Sequence, residues 1–460
     1  MFPEKFIQRI NSQEYADAGL LLKALSEPSP VSIRTNPLKW NRIPGENDRV
    51  PWCENGFYLG QRPSFTLDPL FHAGCYYPQE ASGMFLEQVF RRIAGDNKYL
   101  RVLDLCGAPG GKSTHLSSLI GLNGWLVANE VIRSRASVLA ENLTKWGVSN
   151  AIVTQSDPSA FSRLPGFFDI MLIDAPCSGE GMFRDQVAVD EWSVDNTLLC
   201  CERQKRILSD SWPALKEDGI LIYSTCTFNP DENEKNIKWL ISRGEAESVE
   251  LDISGYEGIT EIDYQGIRGY GFYPGRIRGE GLFMSVVRKT QKNKSEVSRK
   301  LKGTISSPGR DEIKTALELT SFNEDQLIMH NDEIVSIPCS INDYSSLSSS
   351  LKIVKPGTAI FMFKKKNIIP SHELALSAFL RISVFDTLNL GYADAIRYLR
   401  RDNIRVLNAP SGWIIASYEG VNLGFVKNLG SRLNNYYPVE WRIRMSVQSG
   451  AEQKKVEWKP

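Results

Sequence analysis

The sequence predicts an α/β protein whose centre, residues 98 to 290, is a mostly parallel sheet flanked by helices. Three observations predict it. Apolar runs of strand length recur through this stretch, helical stretches separate most of them, and three loop-like motifs each follow such a run directly.

Residues 1 to about 95 mix helical and extended signals. PEKFIQRI (3–10) spaces its apolar residues as a helix does. Val31 to Pro37 reads as a strand closed by Asn-Pro. The second half of FHAGCYYPQEASGMFLEQVF (71–90) reads as a helix starting near Pro78. In the centre the runs are YLRVLDL, WLVANE, AIVTQS, FDIMLID, GILIYST and LFMSVV, with helices expected over 131–146 and 231–242. Residues 288 to 303, RKTQKNKSEVSRKLKG, are basic and lack an apolar period, so they read as a linker. Residues 310 to 375 are weakly patterned and include a Ser-rich stretch at 345–350. From 376 on, the short strands IRVLN, GWIIASY and GVNLGFVK, with a helix at about 391–400, suggest a small β-rich module. The expected domains are 1–95, 96–290, 291–375 and 376–460.

A chain of 460 residues has room for two to four domains. Its formal net charge of zero creates no whole-molecule field toward a polyanion, so RNA affinity would need local patches. Residues 381–460 carry twelve Lys and Arg against seven Asp and Glu, a balance of +5. The eight cysteines show no CxxC pairing and the four histidines are scattered, which argues against a zinc site or a disulfide framework. We expect no metal. No apolar run reaches bilayer length. The expectation is a cytoplasmic protein with reduced thiols and no membrane association, a monomer.

The first motif is LDLCGAPGGKSTH (103–115). It fails the nucleotide-triphosphate loop GxxxxGK[ST], because Cys106 stands where the first glycine is needed. It also fails GxGxxG. A glycine turn entering a helix remains, in which Gly107, Gly110 and Gly111 let backbone approach a ligand closely. The next apolar run ends in Glu130, where an acidic residue commonly accepts from ribose hydroxyls. Together these suit an adenosine-containing cofactor other than a nucleoside triphosphate. The second motif, DAPCSGEG (174–181), puts Asp174 and Cys177 at a strand end. The third, YSTCTFNPDENE (223–234), puts Cys226 at another, with Asp231 near a helix start whose partial positive charge would favour a thiolate. A thiolate that attacks carbon 6 of cytosine, with a proton or hydrogen bond at nitrogen 3, makes carbon 5 nucleophilic enough to take a methyl group. That scheme needs a cysteine, an acid, a methyl donor and a base.

These residues resemble the Nol/Nop/Sun family of RNA cytosine-5 methyltransferases. The resemblance is carried by YYPQEASGM (76–84), LDLCGAPGGKSTH, NEVIRSRA (129–136), DAPCSGEGMFR (174–184), STCTFNPDENE (224–234) and RIRGEGLFMSVVRK (276–289). It implies a Rossmann-like methyltransferase core, an N-terminal α+β RNA-recognition domain and a C-terminal β-rich, PUA-like RNA-binding domain. It implies S-adenosylmethionine as cofactor, held by Cys106, Gly107, Ala108, Pro109, Gly110, Gly111 and Lys112, then Glu130, Arg135, Asp157 and Asp174. In the family Cys226 is the nucleophile, Cys177 assists product release and Asp174 also faces the cytosine. The C-terminal stretch is similar to the tail of the RsmF-type branch, which implies small-subunit ribosomal RNA near the decoding region, or the small subunit itself, as partner.

Competing readings are the same chemistry on transfer RNA, a non-catalytic RNA-binding assembly factor, and a cysteine hydrolase. The tail disfavours the first, and retention of both cysteines and Asp174 disfavours the second. The hydrolase lacks a base at the strand ends, since His72, His330 and His372 lie outside the motifs and His115 closes the first motif beyond its glycine turn.

Overall fold

A computed structural model of the chain describes every residue except 46–47, 96–98, 123, 293–304, 365–366, 405–408, 447–454 and 460. Its largest sheet has ten strands. We number them β1 (Arg101–Asp104), β2 (Trp125–Asn129), β3 (Ala151–Thr154), β4 (Phe168–Asp174), β5 (Leu215–Thr225), β6 (Ala246–Ser248), β7 (Thr260–Tyr264), β8 (Ile267–Phe272), β9 (Leu282–Lys289) and β10 (Ile353–Lys355). The order across the sheet is β7-β8-β9-β5-β4-β1-β2-β3-β10, with β6 added on β9. Strands β5, β4, β1, β2 and β3 are mutually parallel. The edges, β9 with β8 and β7 on one side and β10 on the other, are antiparallel. All six apolar runs of the central region are strands, which confirms the mostly parallel α/β core.

Both faces of this sheet are covered, which is why the parallel strands are apolar at nearly every position. Val102, Leu126, Val153, Ile170 and Ile222 enter one core layer. Their neighbours Leu103, Val127, Ile152, Met171 and Leu221 enter the other. Helices α1 (Gly111–Ile120), α2 (Arg133–Trp146), α3 (Val194–Ser211) and α4 (Glu234–Ser242) lie in the connections. Gly147 ends α2 at φ 80°, a left-handed C-terminal stop that glycine adopts without strain. Helices α2 and α4 start two and three residues later than the sequence predicts, because Ile132 and Asn233 are non-helical. From β1 the chain moves to β2 and β3 on one side, then returns to β4 and β5 on the other. The order therefore reverses between β1 and β4, and an open α/β sheet binds its ligands at the carboxyl ends beside such a reversal.

The N-terminal region contributes helices Glu4–Asn11 and Ala18–Leu25 and a four-stranded sheet that includes Val31–Thr35 and Tyr76–Pro78. The helix expected near Pro78 instead begins at Leu86, after a 3-10 turn over Ser82–Phe85. Tyr76–Pro78 is held extended by pairing with Val31–Thr35, and Glu80 accepts from Ser82 N and Gly83 N before the helix can start. The linker reading also needs correction. Arg288 and Lys289 belong to β9, where Lys289 is buried and donates to Trp212 O and Leu215 O. Positions 293–303 lie outside the described residues.

The weakly patterned middle region is structured. Helix Ile341–Ser350 contains the Ser-rich stretch, and β10 then joins the edge of the core sheet. Four further strands form a separate sheet whose apolar side, including Ile360 and Phe361, packs with Ile415 and Phe425 of the C-terminal region. That region has strands Asp386–Asn389, Gly412–Tyr418, Val421–Asn428 and Leu433–Asn435, and helix Tyr392–Arg400. Of the expected strand IRVLN, Ile404 is in no strand and 405–408 lie outside the described residues. Ile33, Phe57 and Tyr76 share one core with Tyr398, Ile414 and Tyr437. Tyr437 is thus a core side chain, edge-on to His372 and Tyr398, rather than a surface ring. Among the described residues, no helix is long and apolar enough to cross a membrane.

Candidate active site

The turn after β1 is fixed from its inner side. Gly107 N donates to Asn129 O at 2.8 Å. A Cβ on Gly107 would come within 2.6 Å of Ser113 Oγ, which donates to Asp104 Oδ2 at 2.6 Å. Gly110 sits at φ 122°, a conformation L side chains resist. Burial pushes the Asp104 acid up to about 7, and its Oδ1 has no partner. Asn129 ties the strand ends together. Its amide donates to Leu105 O and Ser156 O, and its Oδ1 accepts from Thr154 Oγ1 and Ser156 N. The run Cys106 to Lys112 therefore presents mostly backbone, with Ala108, Pro109 and Gly111 adding little side chain. Cys106 is half-buried and its thiol is pushed up by burial.

Glu130 follows β2, only 6 % exposed, with Oε1 accepting from Ile132 N at 3.0 Å. Arg135 spans the gap to the glycine turn. Its guanidinium lies 3.4 Å from Glu130 Oε2 and donates to Ala108 O at 3.0 Å. The structure thus brings Glu130, Arg135 and the turn together. Asp157, after β3, has a 43 % exposed side chain and caps a 3-10 turn by accepting from Ser159 N. The Ser159 hydroxyl holds its acid below the usual range, and Arg206 lies 3.6 Å away. These contacts set it apart from the Glu130 group.

Asp174 ends β4 and is held at both oxygens. Lys112 Nζ is 2.8 Å from Oδ2, and Ser224 Oγ donates to Oδ1 at 2.7 Å. Burial works against the Lys112 ammonium, but Asp174 outweighs it and raises its pKa, with a smaller contribution from Cys226. Lys112 therefore stays an ammonium on Asp174, with its charge reaching Cys226. The sulfurs of Cys177 and Cys226 are 3.2 Å apart. The hydrogen bond to Cys226, then burial, pushes the Cys177 thiol well above its ordinary range. Either sulfur can donate to the other across this contact. The helix after Cys226 starts only at Glu234, and Asp231 is paired with Lys235. The cation whose charge reaches Cys226 is Lys112, not that helix terminus.

Sequence reasoning missed the support beneath the two cysteines. It singled out Asp231, whereas the buried acid is Glu232, fully enclosed and accepting from Ser178 N and Oγ and from Gln204 Nε2. Burial pushes Glu232 up to about 7 while the Ser178 donors draw it down. The PDENE segment signals an acidic turn, but which carboxylate points inward depends on the turn's backbone. Ser224 was quoted in the motif without a role, although it is the residue that orients Asp174. The N-terminal helix also reaches the site, where Arg9 pairs with Glu180 and donates to Phe228 O. Elsewhere, Cys53, Glu87 and His115 cluster in the core. Burial pushes His115 down to about 4, and its Nε2 lies 3.3 Å from Glu87 Oε2, a neutral imidazole on a carboxylate.

A Rossmann-like sheet with a glycine turn, an acid after the second strand and an Asp-Ala-Pro-Cys strand end is the arrangement of a nucleic-acid methyltransferase. Comparisons with known proteins agree. Residues 94–288 match the family described as 16S rRNA methyltransferase RsmB/F, residues 2–81 the N-terminal domain of 16S rRNA methyltransferase RsmF, and residues 385–443 the methyltransferase RsmF PUA domain. Ribosomal RNA small subunit methyltransferase F of Enterobacter sp. (strain 638) is 30% identical over 477 residues, covering 95% of each chain. Its counterpart from Shewanella piezotolerans is 29% identical over 441 residues, covering 90% of this chain and 91% of its own. The crystal structure of a methyltransferase homolog protein from Pyrococcus horikoshii is 30% identical with a TM-score of 0.52, covering 63% of this chain and 95% of that one. The chain belongs to the RsmB/F family of 16S rRNA methyltransferases.

Proposed function

We propose that this protein transfers a methyl group from S-adenosylmethionine to carbon 5 of a cytosine in 16S ribosomal RNA, through a covalent adduct to Cys226. The observation that carries the reading is the 3.2 Å approach of Cys177 and Cys226 beside the Lys112–Asp174 pair at the sheet's reversal point.

The residues suit the cofactor. The Cys106–Lys112 turn offers backbone for close approach, and Glu130, enclosed and held by Ile132 N and Arg135, offers an acceptor for a ribose diol. Asp174 is the further strand-end acid beside the turn, held to it through Lys112, whereas Asp157 is engaged by Ser159 and Arg206. When bound, S-adenosylmethionine supplies an electrophilic methyl group on a sulfonium sulfur.

The chain's own groups do the rest. Cys226, as its thiolate, attacks carbon 6. Electron density arriving at nitrogen 3 is met by a hydrogen bond from the Lys112 ammonium, which Asp174 holds, and Ser224 keeps that carboxylate in place. After methylation of carbon 5 the carbon 5 proton leaves as the carbon 6–sulfur bond breaks: Cys177 gives its proton to the departing Cys226 sulfur and, as the thiolate so formed, takes the carbon 5 proton, while nitrogen 3 returns what it received. Arg9 and the helices over the Glu180 loop shield this end of the sheet from water. The exposed Arg432, Arg442 and Arg444 of the C-terminal region suit phosphate contact in RNA.

Bisulfite sequencing of ribosomal RNA tests the reading. A cytosine protected in the parent strain should convert in a strain lacking this protein. An unchanged 16S pattern contradicts it.

A further inference from the structure

Glu232 takes no part in the chemistry just described, yet its buried carboxylate is held by three hydrogen bonds. Its Oε2 accepts from Ser178 N at 2.9 Å and from Gln204 Nε2 at 3.0 Å, and its Oε1 accepts from Ser178 Oγ at 2.5 Å. Gln204, on α3, also donates to Pro176 O at 3.0 Å and is itself held by Asn236 of α4. Ser178 Oγ contacts Thr227 Oγ1 at 2.9 Å, and Tyr223 OH donates to Glu232 O at 2.7 Å. The network thus grips the residues on both sides of Cys177 and the residue after Cys226. Every contact to the carboxylate uses it as an acceptor, and a fully satisfied buried network of this kind fixes one geometry.

We propose that Glu232 is a positioning residue. Its carboxylate fastens the Cys177 loop to the Cys226 loop and so sets the separation of the two sulfurs. The functional meaning rests on the two-cysteine reading above. The geometry itself is measurable without catalysis. A carboxylate that merely filled space would alter melting temperature and leave the sulfur separation alone.

The test is the rate at which Cys177 and Cys226 pair under diamide, which takes one hydrogen from each thiol, is reduced to the hydrazine and leaves a disulfide. Peptide mapping by mass spectrometry at timed quench counts that bond apart from the other cysteines. Glu232→Gln keeps the shape but turns an amide NH2 toward a donor. Its pairing should be about tenfold slower than wild type, the weight of one charge-assisted hydrogen bond. Its kcat for methyl transfer should fall by a similar factor, while the Kd for S-adenosylmethionine stays within about twofold. Ser178→Ala removes one donor only and carries the same test if the Gln variant does not fold, with pairing expected to slow about threefold. Wild-type pairing rates in the folded variants overturn the proposal, whatever their activity. A wild-type chain that pairs its cysteines quickly but transfers no methyl group overturns the functional reading instead.

Discussion

Asp174 and Ser224 stand side by side as paired positions of β4 and β5, and Ser224 Oγ donates to Asp174 Oδ1 at 2.7 Å. This register explains the site. The two strands are parallel, so both chains leave the sheet at the same edge and in the same direction. Cys177 lies three residues past Asp174 and Cys226 two past Ser224, and the loops bring their sulfurs to 3.2 Å. Two cysteines far apart in sequence become one site because two strand ends are level.

Cys226→Ala should abolish methyl transfer and leave cofactor binding nearly intact, because the glycine turn is braced by Asp104, Ser113 and Asn129 and not by the cysteines. Tritium transfer from labelled S-adenosylmethionine, beside a calorimetric titration, checks both halves. Turnover near wild type contradicts the assignment of the nucleophile.

Glu130→Ala should weaken the cofactor by roughly 1.5 to 3 kcal/mol, the range of a hydrogen bond to a charged group. An unchanged dissociation constant, measured by calorimetry, would mean that the ribose sits elsewhere.

Asp104 should make stability depend on pH. Its folded-state acid lies at about 7, against an ordinary 3.8, because it is buried. A raised acid contributes stability that is complete below about pH 4 and is lost as pH rises through 7. The melting temperature of wild type, taken relative to Asp104→Asn, should therefore fall between about pH 5 and pH 8. A difference that stays flat over this range contradicts the assignment.

The same core that buries Tyr437 makes the C-terminal region hard to remove. A chain ending at 375 would expose Ile33, Phe57 and Tyr76, which pack against Tyr398 and Ile414. It should lose its cooperative thermal transition rather than behave as an active core with weaker RNA binding. A truncated chain that melts sharply near the full-length temperature contradicts this.

The parallel core was legible because its strands are apolar runs, three of them ended by a motif, so FDIMLID and GILIYST declare both their type and their exit. The strand-end residues Glu130, Asp174, Cys177 and Cys226 were legible for the same reason. The role of Glu232 was not, since three neighbouring carboxylates look alike until the turn's dihedrals choose one. Strand β10 was hidden because it is only three residues long and pairs with β3 across some two hundred positions of chain. The burial of Tyr437 was not legible, because an aromatic in a basic tail looks the same whether it faces solvent or core. The helix near Pro78 was displaced by a pairing with Val31–Thr35 that no local pattern announces.

The most direct test of the central claim is a denaturing gel of the enzyme incubated with its RNA and S-adenosylmethionine. If Cys226 attacks and Cys177 assists release, Cys177→Ala should give a slower band, RNA linked to protein, that requires the cofactor. The double variant Cys177→Ala/Cys226→Ala should give none. Trapping by Cys226→Ala alone would reverse the two roles, and an absence of linked RNA in every variant would contradict a covalent mechanism altogether.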